Sequence, residues 1–241
     1  MAPIPLNERL IVALDVPTAD TARDLVSRLG PAVGFYKIGL QLQYAGGIDL
    51  ARELKDQGKK VFLDAKLLDI DQTVTAATRN IARLGVDFLT VHAHAPTLRA
   101  AVTGRGQSGL RLLAVTVLTS MGRADMAELG TRFSLEELVL RRAQAAIDSG
   151  CDGVIASGNE ARQLRAFAAD RLLIVTPGIR SEGEATDDQR RAATPRDAIA
   201  AGADYLVVGR QILRSADPGA AAAAILREVE SALSGPAARS A

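Results

Sequence analysis

"LIVALDVPTADTARDLVSRLG" (10–30) contains one complete folding unit. It opens as a β-branched apolar run that carries no charge until Asp15. Pro17 and Thr18 then stand where a helix would begin. Leu25, Val26 and Leu29 form one apolar face at helical spacing, and Gly30 follows as a stop. A continuous apolar run of this kind suits a parallel strand buried on both faces. The unit recurs along the chain. Further strand-like runs are "GFYKIG" (34–39), "KVFLDAK" (60–66), "DFLTVHA" (87–93), "RLLAVTVL" (111–118), "DGVIAS" (152–157), "RLLIVTPG" (171–178) and "DYLVVGR" (204–210). Helical patterns lie near 18–29, 41–57, 72–84, 95–103, 134–149, 158–169, 194–201 and 217–233. Eight strand–helix units predict an α/β protein, a single-domain (β/α)8 TIM barrel. The alternative is an open doubly wound sheet, but the first strand lacks the glycine-rich fingerprint that often follows in nucleotide-binding members of that class. The barrel is expected over 1–233, without a linker or low-complexity block. "SGPAARSA" (234–241) reads as a small, polar, frayed tail.

Bulk properties narrow the function. The 241 residues carry a formal net charge of +1 and are 48 % hydrophobic, enough for a large core. Barrels of this kind often use roughly 200–250 residues as one unit. The near-zero charge argues against a general nucleic-acid or membrane surface, because phosphate-backbone binding needs clustered Lys and Arg. Cys151 is the only cysteine, so no intrachain disulfide is expected. With no paired base in view, it reads as a packing residue. "MAPIPLNERL" has no basic segment followed by an apolar core, and no apolar run approaches the roughly 20 residues of a membrane helix. A cytoplasmic protein with neither a nucleic-acid nor a membrane partner is expected.

Polar residues gather at the strand ends, where barrels of this class place their catalytic groups. The first strand ends in Asp15 and the second carries Lys37. The third ends in Asp64 and Lys66, with Asp69 just beyond. The fourth ends in His92, the fifth runs into Thr119 and Ser120, and the sixth into Ser157. Asp64 and Lys66 are two residues apart, so both leave the strand on one face, about 6–7 Å apart along it. Lys37 can lie beside them. One such pair at 4 Å gains roughly 4 kcal/mol at an effective dielectric of 20, before desolvation. A single pair would read as a structural plug. Four charges from adjacent strand ends at one mouth read as an active site.

The last two strands suggest an anion. "TPGIR" places Gly178 where backbone N–H groups can face a phosphate, with Arg180 close by. "VVGRQI" places Gly209 and Arg210 between the eighth strand and a helical turn. Loops after strands seven and eight commonly hold phosphate through N–H groups and a helix N-terminus, and Arg210 would add a bidentate clamp. Either glycine alone is explained by a tight turn; the pair favours a phosphate site. "SEGEATDDQRRAATP" (181–195) is long and polar for such a loop and reads as a lid, with Gln189 its foremost polar contact.

These blocks resemble one family. "FLDAKLLDIDQT" is similar to the DxKxxD signature of orotidine 5′-phosphate decarboxylases. "IVALDV", "YKIG", "AVTVLTSM", "TPGIR" with "DDQRR", and "VVGR" resemble that family's blocks in order and spacing, from about Leu10 to Ile225. The resemblance implies a cofactor-free, metal-free homodimer that converts orotidine 5′-monophosphate to uridine 5′-monophosphate. Lys37, Asp64, Lys66 and Asp69 would form a charged tetrad, with Lys66 the proton donor to C6 and Asp64 against the departing carboxylate. Asp69 would enter the site from the partner subunit, with Ile70 and Thr73 beside it. Asp15 and Lys37 would hold ribose hydroxyls, and Thr119 and Ser120 would face the base. Arg180, Gln189, Gly209 and Arg210 would hold the phosphate.

The chain also departs from the family pattern. Leu67–Leu68 stand where many members have Phe-His, and Asp71–Gln72 where many have Pro-Asn. Ala65 replaces a larger residue, and His94 is additional; it reads as a helix-start or loop residue rather than a metal ligand paired with His92. Two other readings compete. Mg2+-dependent sister activities on the same barrel share the "DAK..D" stretch but typically carry an acidic residue where Lys37 stands. A non-catalytic phosphometabolite-binding module would not need the four-charge set. Asp125 and Glu128 read as a solvated face.

Overall fold

A computed structural model describes residues 4–128, 130–181 and 193–234. Its eight strands are β1 (Leu10–Ala13), β2 (Phe35–Ile38), β3 (Lys60–Leu67), β4 (Phe88–His92), β5 (Arg111–Val115), β6 (Gly153–Ile155), β7 (Leu173–Thr176) and β8 (Tyr205–Val208). Each pairs in parallel with the next, and β8 returns to β1 to close the barrel. The principal helices alternate with the strands, as in Ala19–Leu29, Asp71–Arg83 and Leu135–Ser149. Local chemistry sets their starts. Thr18 accepts from the Thr21 N–H at 3.2 Å, and Ser134 and Glu137 cap one another reciprocally. The (β/α)8 barrel expected from the alternating pattern is therefore present. The tail beyond 234 lies outside the described residues. Among the described residues no helix is long and apolar enough to cross a membrane.

Two apolar layers hold the barrel. Outward-facing strand residues such as Val12, Ile38 and Ile174 pack against helix residues such as Leu25, Leu54 and Leu164. A separate cluster fills the lumen and includes Ile11, Phe35, Phe62, Phe88, Leu173 and Tyr205. The chain has only five Phe and three Tyr. Four of them meet here: Phe88 lies 4.9 Å from Phe35, 5.1 Å from Tyr205 and 6.0 Å from Phe62, centroid to centroid. Tilted and edge-on pairs of this kind add roughly 0.5–1.5 kcal/mol each beyond area burial. Spending the scarce aromatics low in the lumen makes a solid floor and leaves the upper mouth to other chemistry.

The lower end repeats an ionic device. Asp87, Asp152 and Asp204 each stand just before an even-numbered strand. Their carboxylates accept from the Val61, Leu112 and Ile174 N–H groups of the preceding strand, each at 2.8 Å. Each also pairs with a cation: Lys55 at 2.7 Å, Arg105, and Arg165 at 2.6 Å. "DFLTVHA", "DGVIAS" and "DYLVVGR" all open with these aspartates. Asp204→Ala removes the carboxylate that pairs with Arg165, which keeps carbonyl acceptors such as that of Gly202, and leaves the Ile174 N–H without its acceptor. It is expected to cost roughly 2–3 kcal/mol of unfolding free energy, because the pair is only partly solvated. Turnover per folded molecule should stay unchanged. Denaturant unfolding beside an activity assay checks both, and a large kcat loss would contradict a purely structural clamp.

The helix expected over 41–57 is interrupted. A π turn at Gln43–Gly47 separates Leu40–Leu42 from Ile48–Asp56, with Ala45 and Gly46 outside helical angles. A Cβ at Gly47 would lie 2.5 Å from the Leu42 carbonyl oxygen, so this close turn requires glycine. Such bulges recur at functional sites, and Gln43 has a task described below. The helical turn expected after the eighth strand is present at Arg210–Leu213, whereas the short helices Leu6–Arg9 and Arg123–Glu128 are too brief to show a helical period in the sequence.

Candidate active site

Inward positions alternate along each strand, and their chemistry changes with height. β1 turns Ile11 and Ala13 into the lumen, and Asp15 follows. β2 turns in Phe35 and then Lys37. β3 turns in Phe62 and then Asp64. Apolar packing fills the lower positions, and charge appears at the C-terminal mouth.

Lys37 lies between two carboxylates, its Nζ 3.0 Å from Asp15 Oδ1 and 3.4 Å from Asp64 Oδ2. Lys66 Nζ donates to Asp64 Oδ1 at 2.8 Å. Asp15, Lys37, Asp64 and Lys66 thus form one row of alternating charge. Its two inner side chains, Lys37 and Asp64, are 10 % and 13 % exposed; Lys66 is 30 % exposed. Burial alone would neutralise the inner pair. It pulls the Lys37 ammonium down, but Asp64 and Asp15 outweigh it and the net shift is upward. Burial likewise pushes the Asp64 carboxyl up. The charges of Lys37 and Lys66, with hydrogen bonds from Lys66 and Thr90, reverse it and hold Asp64 below the ordinary carboxylate range. Both groups are therefore ionised at neutral pH. Gly39 makes the packing possible, since a Cβ there would lie 2.8 Å from Asp15 Oδ1 and 2.9 Å from Lys37 Nζ.

β3 does not run straight past this point. It pairs with β4 at Leu63↔Leu89 and next at Leu67↔Val91. Asp64, Ala65 and Lys66 therefore face the single residue Thr90. Lys66 adopts φ +48°, a left-handed conformation that costs a non-glycine residue roughly 1–3 kcal/mol. Two backbone groups at this bulge are satisfied by side chains. The Lys66 N–H donates to Thr90 Oγ1 at 3.0 Å, and the Asp64 carbonyl accepts from Gln43 Nε2 at 3.1 Å. The same Gln43 amide reaches the Ile38 carbonyl at 3.0 Å, tying the ends of β2 and β3 together.

The row lines a cavity of about 230 Å3. Asp15, Lys37, Asp64, Lys66, Thr119, Arg180, Gly209 and Arg210 all line it, as does Gly178. Arg180 is buried; its Nη1 donates to the Ile179 carbonyl at 2.7 Å and its N–H to the Ala193 carbonyl at 3.0 Å. Gly209 precedes the helix Arg210–Leu213, whose Ile212 and Leu213 N–H groups return to its carbonyl at 2.9 and 3.0 Å. A Cβ at Gly209 would lie 3.4 Å from that of Ala13. The cavity floor is apolar, with Phe62, Val115 and Ile155. The cavity thus combines an apolar floor with the cations Lys37, Lys66, Arg180 and Arg210, a lining suited to a partly apolar, anionic ligand.

Four expected residues are not brought to this cavity within one chain. Asp69, Ile70, Thr73 and Ser120 are exposed and do not line it. Asp69 accepts from the Ile70 N–H at 2.7 Å, and Ile70 is 71 % exposed. Gln189 and the lid expected over 181–195, from 182 to 192, lie outside the described residues. His92 is half-buried beyond Thr90 on β4; burial, then Arg142 and Lys66, hold its imidazole below its usual value. His94 precedes the helix Ala95–Arg105, with Nδ1 3.3 Å from Thr97 Oγ1, which makes it a helix-start residue. Burial pushes the Cys151 thiol up to about 12, leaving it inert. Among the described residues no three His, Cys, Asp or Glu side chains group as candidate metal ligands. Asp125 is more than solvated surface: its carboxylate accepts from the Gly122 N–H at 2.6 Å, at the start of the helix Arg123–Glu128. Leu67 packs on the core, whereas Leu68 is 60 % exposed. Asp71 opens the helix Asp71–Arg83, where negative charge is favoured. Thr90, Gln43 and Gly39 are the positions sequence reasoning missed. Thr90 alone left a direct trace, as a polar residue at the inward position between Phe88 and His92.

Residues 8–225 match a family described as the orotidine 5′-phosphate decarboxylase / HUMPS family. The orotidine 5′-phosphate decarboxylase of Rhodopseudomonas palustris (strain BisA53) is 52 % identical over 227 residues, 94 % of this chain and 97 % of its own. That of Bradyrhizobium diazoefficiens is 51 % identical over 232 residues, 96 % of this chain and 98 % of its own. The crystal structure of orotidine 5′-phosphate decarboxylase from Lactobacillus acidophilus superposes with a TM-score of 0.82 at 39 % identity, covering 92 % of this chain and 99 % of that one.

Proposed function

The chain belongs to the orotidine 5′-phosphate decarboxylase / HUMPS family, and from that premise we propose how it works. It decarboxylates orotidine 5′-monophosphate to uridine 5′-monophosphate in pyrimidine biosynthesis. It does so without a cofactor, through the charged row at the barrel mouth. The observation that carries this reading is Lys66, held against Asp64 at the edge of a cavity whose other strand ends supply Arg180 and Arg210.

Loss of CO2 from C6 of the pyrimidine leaves an electron pair with no adjacent sink. The Lys66 ammonium stabilises that developing charge and then delivers a proton to C6, giving product and a neutral amine that water reprotonates. An ammonium has three N–H groups, and the bond to Asp64 uses one. Lys37 is the more buried cation and lies between two carboxylates, so its part is to keep Asp64 ionised and to meet the ribose with Asp15. Asp64, against the substrate carboxylate, disfavours the bound ground state. Thr119 faces the base. Arg180, Gly209 and Arg210 hold the phosphate, whose binding energy is then used at the distant reacting carbon. Asp69 acts in the site of a second copy, with Ile70 and Thr73 at the seam. Its exposure, beside the exposed apolar side chains of Leu68 and Ile70, supports that role.

The test is turnover of orotidine 5′-monophosphate by the purified protein in EDTA, followed as the ultraviolet change to uridine 5′-monophosphate. Chelator-resistant turnover is expected. No turnover of orotidine 5′-monophosphate by the folded protein would instead favour a Mg2+-dependent sister activity of the same family.

A further inference from the structure

Thr90 is completely buried at the centre of β4, and its hydroxyl both accepts and donates a hydrogen bond. It accepts from the Lys66 backbone N–H at 3.0 Å and donates to Asp64 Oδ1 at 2.8 Å. One atom therefore ties the backbone of one charged residue to the carboxylate of the other. It does so where β3 leaves its ladder with β4, three residues opposite one. We infer that Thr90 is the positioning residue for Lys66 and Asp64. It locks the bulge that holds Lys66 at φ +48° and fixes the rotamer of Asp64. This inference rests on the decarboxylase reading of the site.

Three features favour this over an ordinary core threonine. First, its two partners are both members of the charged row. Other buried threonines of the chain behave differently: the Thr116 hydroxyl bonds the Ile155 carbonyl, and those of Thr78 and Thr176 have no hydrogen-bond partner among the described residues. The core therefore tolerates a buried threonine hydroxyl without such a network. Second, the left-handed backbone of Lys66 persists only if something over-determines it, and the bond to Thr90 anchors its N–H. Third, a β-branched side chain is stiff about χ1, so the hydroxyl is held at one point. Catalytic geometry is sensitive to displacements of about 1 Å, which is the scale of a bulge relaxing toward an ordinary strand.

The test compares Thr90→Val with Thr90→Ser. Valine keeps the shape and removes the hydroxyl; serine keeps the hydroxyl. Thr90→Val is expected to lower kcat roughly 10- to 100-fold, the consequence of losing hydrogen bonds to a charged pair, with the affinity for uridine 5′-monophosphate nearly unchanged. Thr90→Ser should recover most of kcat. A merely structural threonine would lower the melting temperature of the valine variant while leaving kcat per folded molecule intact. That result, or a serine variant as slow as the valine one, overturns the inference. If the wild-type protein shows no turnover, the decarboxylase reading fails, and a crystal structure of Thr90→Val decides the inference separately. Lys66 should leave the left-handed region; Lys66 unmoved and still on Asp64 would overturn it.

Discussion

Lys66→Ala is expected to lower kcat by roughly 10⁴-fold or more, because it removes a general acid and the nearest charge stabilisation together. Affinity for uridine 5′-monophosphate should change little, since the phosphate cations and the apolar floor are untouched. The fold should survive. Asp64 keeps Lys37 at 3.4 Å and the Thr90 hydroxyl at 2.8 Å, so its carboxylate is not abandoned. Lys66 is also the more exposed lysine of the row, and truncating it leaves no deep void. Single-turnover decarboxylation, read beside product binding by calorimetry, separates the two effects. A variant that turns over within tenfold of wild type would remove Lys66 as proton donor. Lys37 would then be the remaining ammonium, although its place between Asp15 and Asp64 suits it poorly to approach C6.

Most of the fold was legible because each strand is short, apolar and bounded by helix starts. "LIVALDV" needs no tertiary information to be a buried strand, and eight such runs alternating with helices favour a closed barrel over an open sheet. Apart from β3, which continues one residue further to Leu67, the expected strands run past the observed C-terminal ends. Asp15 and Val117, for example, lie past the last paired residues, Ala13 and Val115, because the chain leaves the ladder as it enters the mouth. The row Asp15–Lys37–Asp64–Lys66 was legible through charge at strand ends. The bulge that shapes it was not. Period-2 reasoning puts Asp64 and Lys66 on one face, but it cannot show β3 inserting residues against β4, nor Lys66 in a left-handed conformation. Those features depend on Thr90, 24 residues away, and on Gln43, 21 residues away. Gln43 was hidden for a further reason. Its stretch reads as continuous helix, whereas the chain makes a π turn at Gln43–Gly47, where only glycine fits at 47, and the Gln43 amide meets the Asp64 carbonyl. The aspartates that open β4, β6 and β8 left a visible pattern, but its meaning needs the neighbouring strand and the helix cation to be adjacent in space.

Asp64→Asn should damage stability and turnover together, and pH separates the causes. The substitution is nearly isosteric, so packing changes little. Lys37 keeps Asp15 but loses its second carboxylate, and Lys66 loses the acceptor that aims it. Breaking a buried pair on one side typically costs about 3–5 kcal/mol; the retained Asp15 should bring this to roughly 2–4 kcal/mol near neutral pH. Turnover should fall by at least about 10³-fold, because both the carboxylate facing the substrate and the support of the proton donor are lost. The sign of the pH dependence follows from the direction of each shift. Asp64 is held below its unfolded value, so its contribution is complete above about pH 3.9 and disappears as pH falls through the folded value. The stability gap between wild type and variant should therefore be flat from neutrality down to about that pH and close below it. Lys37 is shifted the other way. Its contribution is complete below about pH 10.4 and is lost as pH rises through the folded value. In the variant only Asp15 opposes the burial of Lys37, so the alkaline loss of stability should still begin near about pH 10.4 but be smaller and finish at lower pH than in wild type. Urea unfolding of both proteins across this range measures the gap directly. Equal stability at neutral pH would mean that the row stores no net stabilisation and that Asp64 is retained for chemistry alone.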